Sequence, residues 1–259
     1  MSKKRQPSIH RLHDVEDGIL VRSYAVRHTS AQVIAPHAHD WHQLIYASEG
    51  VMWVHTEQGE WVVPPNRAVW VPAGVEHGIE MTGTVLVQTL YLAAGVASEL
   101  PERCCAANVA PLLRELILHI IALGTLDLSV PRQARLIAFL VDQLSALPSI
   151  PLQLPLPSDE RAKRAVAWMR AHPDDSGPLK QMAKRVSASV RNLERLFQKE
   201  TGMTFGKWRQ QLRLLHALRL LAAGRPVTAI ALEVGYDSPS AFIAAFKGFF
   251  GTTPARYFG

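Results

Sequence analysis

Apolar and polar positions alternate over short distances through much of the N-terminal third of the chain. Runs rich in β-branched and aromatic residues occur at 43–48, 51–56, 60–63, 68–71, 75–80 and 85–91, with glycine or proline between most of them. Many short strands at close spacing are typical of an all-β sandwich or barrel. The mixed, polar residues 1–30 are expected to form an arm that leads into a first strand.

The period then changes to that of helices, at 109–124 and 132–147. One helix carries a wide apolar surface, and the other carries a single stripe. The first stripe is Leu112, Leu116, Ile120 and Leu123, widened by Leu113, Ile117 and Ile121; the second is Leu136, Leu140 and Leu144. Periodicity alone leaves two interpretations open, an intrachain hairpin or a helix pair that also packs on a partner subunit. Four prolines in 148–157 then predict an extended, stiff connector.

The C-terminal stretch contains one pattern twice. Ser189 and Ser238 are 49 positions apart (238 − 189), and the same offset relates Leu193 to Phe242, Phe197 to Phe246, Gly202 to Gly251 and Thr204 to Thr253. Ala183 and Ala231 are 48 apart, as are Val186 and Val234, so the second copy has one extra residue in its turn. A register kept over so many positions identifies an internal repeat.

Each copy predicts a short helix, a tight turn and a second helix capped by serine, which is a helix-turn-helix. The segment 204–223 predicts one continuous helix, about 20 residues and so roughly 30 Å long. A rod of that length can set two reading helices about one turn of B-DNA apart, roughly 34 Å. The alternatives are two helical hairpins without a nucleic-acid role and a sequence-neutral DNA-packing protein. The candidate DNA-binding residues are Ser189, Arg191, Asn192, Glu194, Arg195 and Gln198 in the first copy, and Ser238, Ser240 and Lys247 in the second.

Charge is divided unevenly along the chain. Residues 1–157 hold 11 Lys/Arg and 14 Asp/Glu, a net −3, while residues 158–259 hold 17 and 8, a net +9. Only the C-terminal half is therefore expected to bind a polyanion such as a nucleic acid. The two cysteines, Cys104 and Cys105, are adjacent and give no disulfide framework, and no apolar stretch is long enough to span a bilayer. We expect a cytoplasmic protein with no membrane partner.

The second copy, IALEVGYDSPSAFIAAFKGFFGTTPARY, resembles the C-terminal motif of the AraC/XylS transcriptional regulators, and ASVRNLERLFQKETGMT resembles the first helix-turn-helix of that family. The resemblance covers about the last hundred residues. It implies a two-motif DNA-binding domain attached to a sensing or dimerisation domain. The implied partners are a double-stranded DNA operator, a small-molecule effector and a second copy in a homodimer, with RNA polymerase as a candidate.

Two pieces of the β-rich segment resemble the cupin family. HAHDWHQLIYASEG places His37, His39 and Gln43 where cupins have His-x-His-x-x-x-Glu, and PAGVEH places His77 at the last histidine of Pro-x-Gly-x-x-His. Together they imply a small cupin barrel, the sensing domain of many AraC-type regulators. The strings QLIYASEGVMWV and PPNRAVWVPAGVEH are most similar to the subgroup that includes the repressor of nitroimidazole efflux.

His37 and His39 would point to one face of a strand, with Gln43 also on that face, while His77 arrives from another strand. Three imidazoles and one oxygen could hold a divalent transition metal, although Gln43 stands where metal-binding cupins usually have Glu, which lowers affinity for hard ions. An organic effector pocket without metal and a hydrogen-bonded relic remain alternatives. Trp41, Trp53, Trp61 and Trp70 are expected in the barrel core.

The sequence therefore predicts a multidomain α and β chain: a cupin-like sensor barrel with its arm (1–95), a helical dimerisation segment (96–147), a proline-rich linker (148–158) and an all-α tandem helix-turn-helix domain (159–259). The predicted function is a sequence-specific transcriptional regulator that senses a small molecule or metal and is not an enzyme. The alternative is a metal-dependent cupin enzyme fused to a DNA-binding module.

Overall fold

The computed structural model describes residues 18–57, 59–65, 67–96, 100–146, 149–150 and 153–257. The N-terminal half is built from two antiparallel sheets, as the strand pattern predicted. Its strands are β1 (Ile19–His28), β2 (Gln32–His37), β3 (Trp41–Glu49), β4 (Met52–Thr56), β5 (Gly59–Val63), β6 (Arg67–Val71), β7 (His77–Met81), β8 (Val85–Ala93), β9 (Cys105–Asn108), β10 (Thr125–Asp127), β11 (Ser149–Ile150) and β12 (Gln153–Pro155). The larger sheet has the order β10-β1-β8-β3-β6-β9-β11, and the smaller has β12-β5-β4-β7-β2.

The two sheets enclose an apolar interior. Alternate side chains of β3 and β8, such as Ile45 and Val87, are buried there with residues from the facing sheet. All four tryptophans expected in the barrel core are buried, with at most 5% of any of them exposed, but Trp70 belongs to the apolar cluster on the outer face of the larger sheet rather than to the interior. The expected N-terminal arm lies largely outside the described residues, and the described part of 1–30 is mostly strand. β1 pairs with β8 over eight positions, from Val21 to His28. Its mixed composition concealed it, because none of the side chains after Val21 is fully buried.

Two helices cover the outer face of the larger sheet. They are α1 (Pro111–Leu123) and α2 (Pro131–Ser145), close to the predicted bounds. The predicted apolar stripe on α1 is only partly buried, because Leu112 and Leu123 at its ends are exposed. The face that packs on the sheet consists instead of Leu113, Leu116, Ile117 and Ile120. A strongly apolar helix offers more than one stripe, and only the position of the sheet selects between them.

The predicted proline-rich connector is paired with the rest of the protein in its described parts. β11 extends the larger sheet beside β9, and β12 extends the smaller sheet beside β5. The same segment also holds the C-terminal half, because Trp208 Nε1 donates to the Pro155 carbonyl at 2.7 Å and Gln211 Nε2 donates to the Gln153 carbonyl at 2.8 Å. The connector is thus a strap that fixes one half of the chain against the other.

The C-terminal half is helical and repeats one unit. It comprises α3 (Glu160–Ala171), α4 (Leu179–Arg185), α5 (Val190–Thr201), α6 (Phe205–Ala222), α7 (Val227–Glu233), α8 (Pro239–Phe250) and a short 3-10 helix (Pro254–Arg256). The long rod predicted between the copies is α6, whose 18 residues span about 27 Å. The aligned aromatic and leucine positions are buried, including Leu193, Phe197, Phe242 and Phe246.

The turn in each repeat needs a left-handed residue. Ser187 has φ of 56° and Gly235 has φ of 78° at equivalent positions. Gly235 is also closely packed, because a Cβ there would stand 2.5 Å from Nη2 of Arg213 and 2.9 Å from the backbone carbonyl of Asp174. The second repeat therefore requires glycine, whereas the first tolerates serine at the cost of an unfavourable φ.

Ion pairs join the two halves at the outer face of the smaller sheet. The Glu60 carboxylate, on β5, pairs with Arg170 of α3 and with His55 Nδ1 at 2.7 Å. Glu80, on β7, accepts from Arg219 of α6 at 3.3 Å. We call these residues the interdomain charge cluster.

Candidate functional site

Three histidines converge at one end of the space between the sheets. His37 ends β2, His39 lies in the turn that follows, and His77 begins β7. The three therefore do not share one strand, contrary to the expectation that His37 and His39 would point from a single strand face. Their ring nitrogens nevertheless lie within 4.8 Å of one another, and Gln43 from β3 joins them.

The tautomers of the three rings follow from their backbone contacts. Each Nδ1 faces a carbonyl oxygen, at 3.0 Å (Ala35) for His37, 2.7 Å (Trp41) for His39 and 2.9 Å (Val75) for His77. A carbonyl can only accept, so each ring carries its hydrogen on Nδ1 and turns the lone pair of Nε2 into the cluster. A metal-binding imidazole usually donates its other ring N–H to a carbonyl or carboxylate in this way, which fixes its tautomer and orientation.

Burial keeps two of these rings neutral. His39 and His77 are 6% and 1% exposed. Desolvation lowers the pKa of His77 to about 4 and also lowers the pKa of His39, because a charged imidazole loses its hydration there. At neutral pH both therefore present an unprotonated Nε2, which is the form that binds metals.

The Gln43 amide is oriented so that its oxygen, rather than its NH2 group, faces the histidines. Its Nε2 donates to Thr89 Oγ1 at 3.0 Å and to the Tyr91 hydroxyl at 3.1 Å. Thr89 uses its own hydrogen on the Leu44 carbonyl, so it can only accept from Gln43. Gln43 Oε1 is then left facing the rings, at 2.8 Å from Nε2 of His77 and 3.1 Å from Nε2 of His39.

An acceptor oxygen thus stands against two acceptor nitrogens. Acceptors at hydrogen-bond distance repel unless a cation lies between them. Three imidazole nitrogens and one amide oxygen form a donor set suited to a divalent transition metal such as Zn²⁺. The residues fit a metal, and the missing carboxylate would leave the full charge of the ion uncompensated.

Thr89 and Tyr91 were not identified from the sequence. Both lie on β8, at alternating positions of a strand that is apolar apart from these two and Gln88, and a polar pair with that spacing was the available signal. Burial raises the pKa of the Tyr91 hydroxyl to about 12, so it remains protonated. The two hydroxyls act on the site indirectly, by fixing which end of the Gln43 amide faces the histidines.

The candidate DNA-binding residues lie on α5 and α8, the second helices of the two repeats. Ser189 and Ser238 cap these helices as predicted, accepting from the Asn192 and Ala241 amides at 3.2 Å. Four more of the candidates have exposed side chains that face solvent: Arg191, Arg195, Ser240 and Lys247.

Three other candidates on α5 are partly engaged within the protein. Gln198 is exposed, but its Nε2 donates to the Gly202 carbonyl at 3.3 Å and helps to end the helix. Asn192 and Glu194 are half-buried, and each has one buried oxygen without a hydrogen-bond partner. Arg191 and Arg195 are therefore the long candidate side chains on α5 that are exposed and not engaged within the protein.

In the described part of the chain, no helix has both the length and the apolar character needed to cross a membrane.

Both halves of the chain match known protein families. The helix-turn-helix domain family matches residues 182–259, and the AraC-like ligand binding domain family matches residues 22–150. The HTH-type transcriptional regulator NimR of Escherichia coli strain K12 is 40% identical over 85% of this chain and 81% of its own length. RipA of Corynebacterium diphtheriae, another HTH-type transcriptional regulator, is 32% identical over 49% of this chain and 36% of its own.

Among solved structures, the DNA-binding domain of AdpA in complex with a target DNA is 32% identical, covering 39% of this chain and 91% of that chain with a TM-score of 0.37. The relatives are transcriptional regulators rather than enzymes, which agrees with the expectation from sequence. With a ligand-binding half, a helix-turn-helix half and a relative matched along most of its length, the chain belongs to the AraC family of DNA-binding transcriptional regulators.

Proposed function

We propose that this regulator binds a divalent transition metal through Nε2 of His37, His39 and His77 and Oε1 of Gln43, and that the ion is part of its sensing domain. The observation that carries the proposal is the contact between Gln43 Oε1 and two unprotonated imidazole nitrogens. A bound cation would turn that repulsion into four attractive contacts. A metal-free pocket would have to accommodate the repulsion, which is the reason for preferring the metal.

The test is elemental analysis of full-length protein after supplementation with Zn²⁺ and removal of loosely bound ions. About one ion per chain is expected, and His77→Ala should retain little of it. Thr89→Val, which leaves the four ligands in place but frees the Gln43 amide to turn, should bind the ion more weakly than the wild type. Protein that retains no metal after supplementation would instead support an organic effector pocket without metal.

Gln43→Glu is the complementary variant. It adds the carboxylate that metal-binding cupins usually have and would reduce the charge of the bound site by one. Affinity for hard ions such as Mn²⁺ should rise relative to the wild type, because oxygen anions suit these ions better than an amide does. A lower Mn²⁺ affinity in Gln43→Glu would contradict the assignment of this residue as a ligand.

We further propose a division of labour between the two reading helices. On α5, the long side chains Arg191 and Arg195 are exposed and suited to base edges, with Asn192, Glu194 and Gln198 beside them. The aligned positions on α8 hold Ser240 and Ala244, which cannot reach far. Ser189, Ser238, Ser240 and Lys247 are better suited to phosphate. The net charge of +9 on residues 158–259 supports a DNA-facing role for this half.

A homodimer is proposed through α1, α2 and the segment between them. Five of the nine large hydrophobic residues that are exposed in the described chain lie there: Leu112, Leu123, Leu128, Val130 and Phe139. Clustered apolar exposure of this kind usually marks an interface. Sedimentation of wild-type protein should give a dimer, and Phe139→Glu should give a monomer that still binds metal. A monomeric wild type would refute this arrangement.

A further inference from the structure

The long helix α6 holds the loop that precedes the first helix-turn-helix unit. This loop, residues 172–178, connects α3 to α4, and we call it the α3–α4 loop. Arg213, in the middle of α6, donates from Nε to the Pro173 carbonyl and from Nη2 to the Asp175 carbonyl, both at 3.0 Å. Both carbonyls lie outside helices and strands, so the arginine supplies donors that no backbone ladder provides.

The same guanidinium lies against the turn of the second helix-turn-helix unit. Gly235 is in the turn between α7 and α8, and a Cβ there would stand 2.5 Å from Nη2 and 2.7 Å from Cζ of Arg213. It would also stand 2.9 Å from the Asp174 carbonyl oxygen, which belongs to the α3–α4 loop. The turn, the guanidinium and the loop are therefore in direct contact. One half-buried side chain thus touches the loop that leads into the first unit and the turn inside the second.

The length of α6 does not by itself fix how the two units are turned relative to each other. Each unit is joined to α6 by a short connection, 202–204 on one side and 223–226 on the other. Each connection contains a glycine with positive φ, Gly202 in the first and Gly224 in the second. The length of α6 sets the distance between α5 and α8, and the side chains between the units set their relative rotation. Arg213 is such a side chain, and its planar fork holds one orientation when two of its nitrogens are bonded.

We infer that Arg213 is a positioning residue for DNA recognition, which fixes the relative rotation of the two units so that α5 and α8 enter successive major grooves together. The inference rests on the proposal that both reading helices hold DNA. Arg213 acts without touching DNA, since its guanidinium is used within the protein. Two linked binding elements gain affinity only when both can engage at once, and a rigid link makes that gain depend on the spacing of the two DNA segments. Arg213 therefore determines how strictly the operator spacing is read.

The test compares full-length variants on two duplexes by fluorescence anisotropy. One is an operator selected from genomic fragments, and the other is the same operator with one base pair inserted between the two groove segments that one chain protects. The inserted pair moves the second segment by about 3.4 Å and rotates it by about 34°. We call the ratio of the two affinities the spacing penalty. In the wild type it should be at least about 100-fold, because the second reading helix can no longer engage.

Arg213→Met keeps a long, apolar side chain but has no donors to hold the loop or the turn. It should bind the operator about tenfold more weakly than the wild type and the inserted operator nearly as well, so the spacing penalty should fall about tenfold. Arg213→Lys keeps the charge but not the planar fork, and it should also reduce the penalty. Urea titrations establish that each variant is folded. A variant that has only lost stability binds both duplexes more weakly in the same proportion and keeps the penalty.

Arg209→Met is the matched control. Arg209 lies one turn earlier on α6 and donates from Nη1 to the Gly177 carbonyl at 2.7 Å, so it holds the same loop. Its guanidinium lies over the Phe205 ring, 5.3 Å from the ring centroid, whereas the atoms nearest to a Cβ at Gly235 belong to Arg213 and Asp174. Arg209→Met should therefore keep the spacing penalty of the wild type.

The outcomes separate this inference from the proposal beneath it. A wild-type penalty retained in both Arg213→Met and Arg213→Lys would overturn the inference and leave the use of two reading helices intact. An equal loss of the penalty in Arg209→Met would assign the effect to the loop in general and overturn the assignment to Arg213. A wild type that binds both duplexes equally would refute the engagement of two successive grooves, and the inference would fall with it.

Discussion

Replacing Arg195 with alanine tests which helix reads the operator. Arg195 is exposed on α5, and it makes no ion pair or hydrogen bond elsewhere in the described part of the chain. Its guanidinium is therefore free to bond a base without first breaking a contact within the protein. The aligned position on the second reading helix is Ala244, which has no such capacity. The substitution should leave the fold intact because an exposed helical arginine and alanine have similar helix propensities.

The magnitude follows from the geometry of arginine on guanine. One bidentate contact discriminates against the wrong base by about 1–3 kcal/mol, which is roughly a 5- to 150-fold change in affinity. Arg195→Ala should remove that amount from operator binding and much less from binding to random DNA. Lys247→Ala serves as the matched control on α8, because a lost phosphate contact weakens both DNAs equally. It should also make the slope of log affinity against log salt shallower by about 0.9.

The assay is a fluorescence anisotropy competition between an operator selected from genomic fragments and a random duplex of equal length. Titrations at three or more salt concentrations give both the specificity ratio and the salt slope for each variant. Ser240→Ala should behave like Lys247→Ala in the specificity ratio. The reasoning fails if Arg195→Ala weakens operator and random DNA alike while Ser240→Ala selectively erases the operator preference.

Three further outcomes concern stability. Gly235→Ala should lower the unfolding free energy by more than Gly202→Ala in urea titrations. Both glycines have a positive φ, which costs alanine about 1–2 kcal/mol. Of the two, only Gly235 has neighbours within 4 Å of a new Cβ. Arg170→Gln should lower the unfolding free energy by about 1–3 kcal/mol, because it leaves the buried Glu60 carboxylate with a weaker partner. The double variant Glu60→Gln, Arg170→Gln should recover part of that loss. Strictly additive effects of the two substitutions would argue against coupling across the interdomain charge cluster. Burial lowers the pKa of His216 below its ordinary value of 6.5, so the unfolded chain binds more protons than the folded chain as the pH falls below about 6.5. The unfolding free energy should therefore decrease as the pH drops from about 6.5, and it should decrease more steeply in the wild type than in His216→Gln.

The internal repeat in the sequence was enough to predict most of the fold of the C-terminal half. Because the buried positions of each helix-turn-helix recur at fixed offsets, the sequence alone predicted the caps at Ser189 and Ser238, the buried aromatic face and the rod between the copies. These features depend on residues close in the chain, where side-chain spacing and local hydrogen bonds decide the conformation. The strand pattern between 43 and 91 was equally readable, since each strand has a buried face and a glycine or proline near its end.

Tertiary structure decided what depends on residues distant in sequence. The face of α1 that packs on the sheet could not be chosen from its own apolar surface, because the helical period groups Leu112 with Leu116, although Leu112 is exposed and Leu116 is buried. The sequence brought His37, His39, His77 and Gln43 to one site by motif, but it could not give the direction of the Gln43 amide. That direction is set by Thr89 and Tyr91, 46 and 48 residues away. The physical reason is that the orientation of a buried amide depends on all the donors and acceptors around it, and only the folded chain brings these groups together.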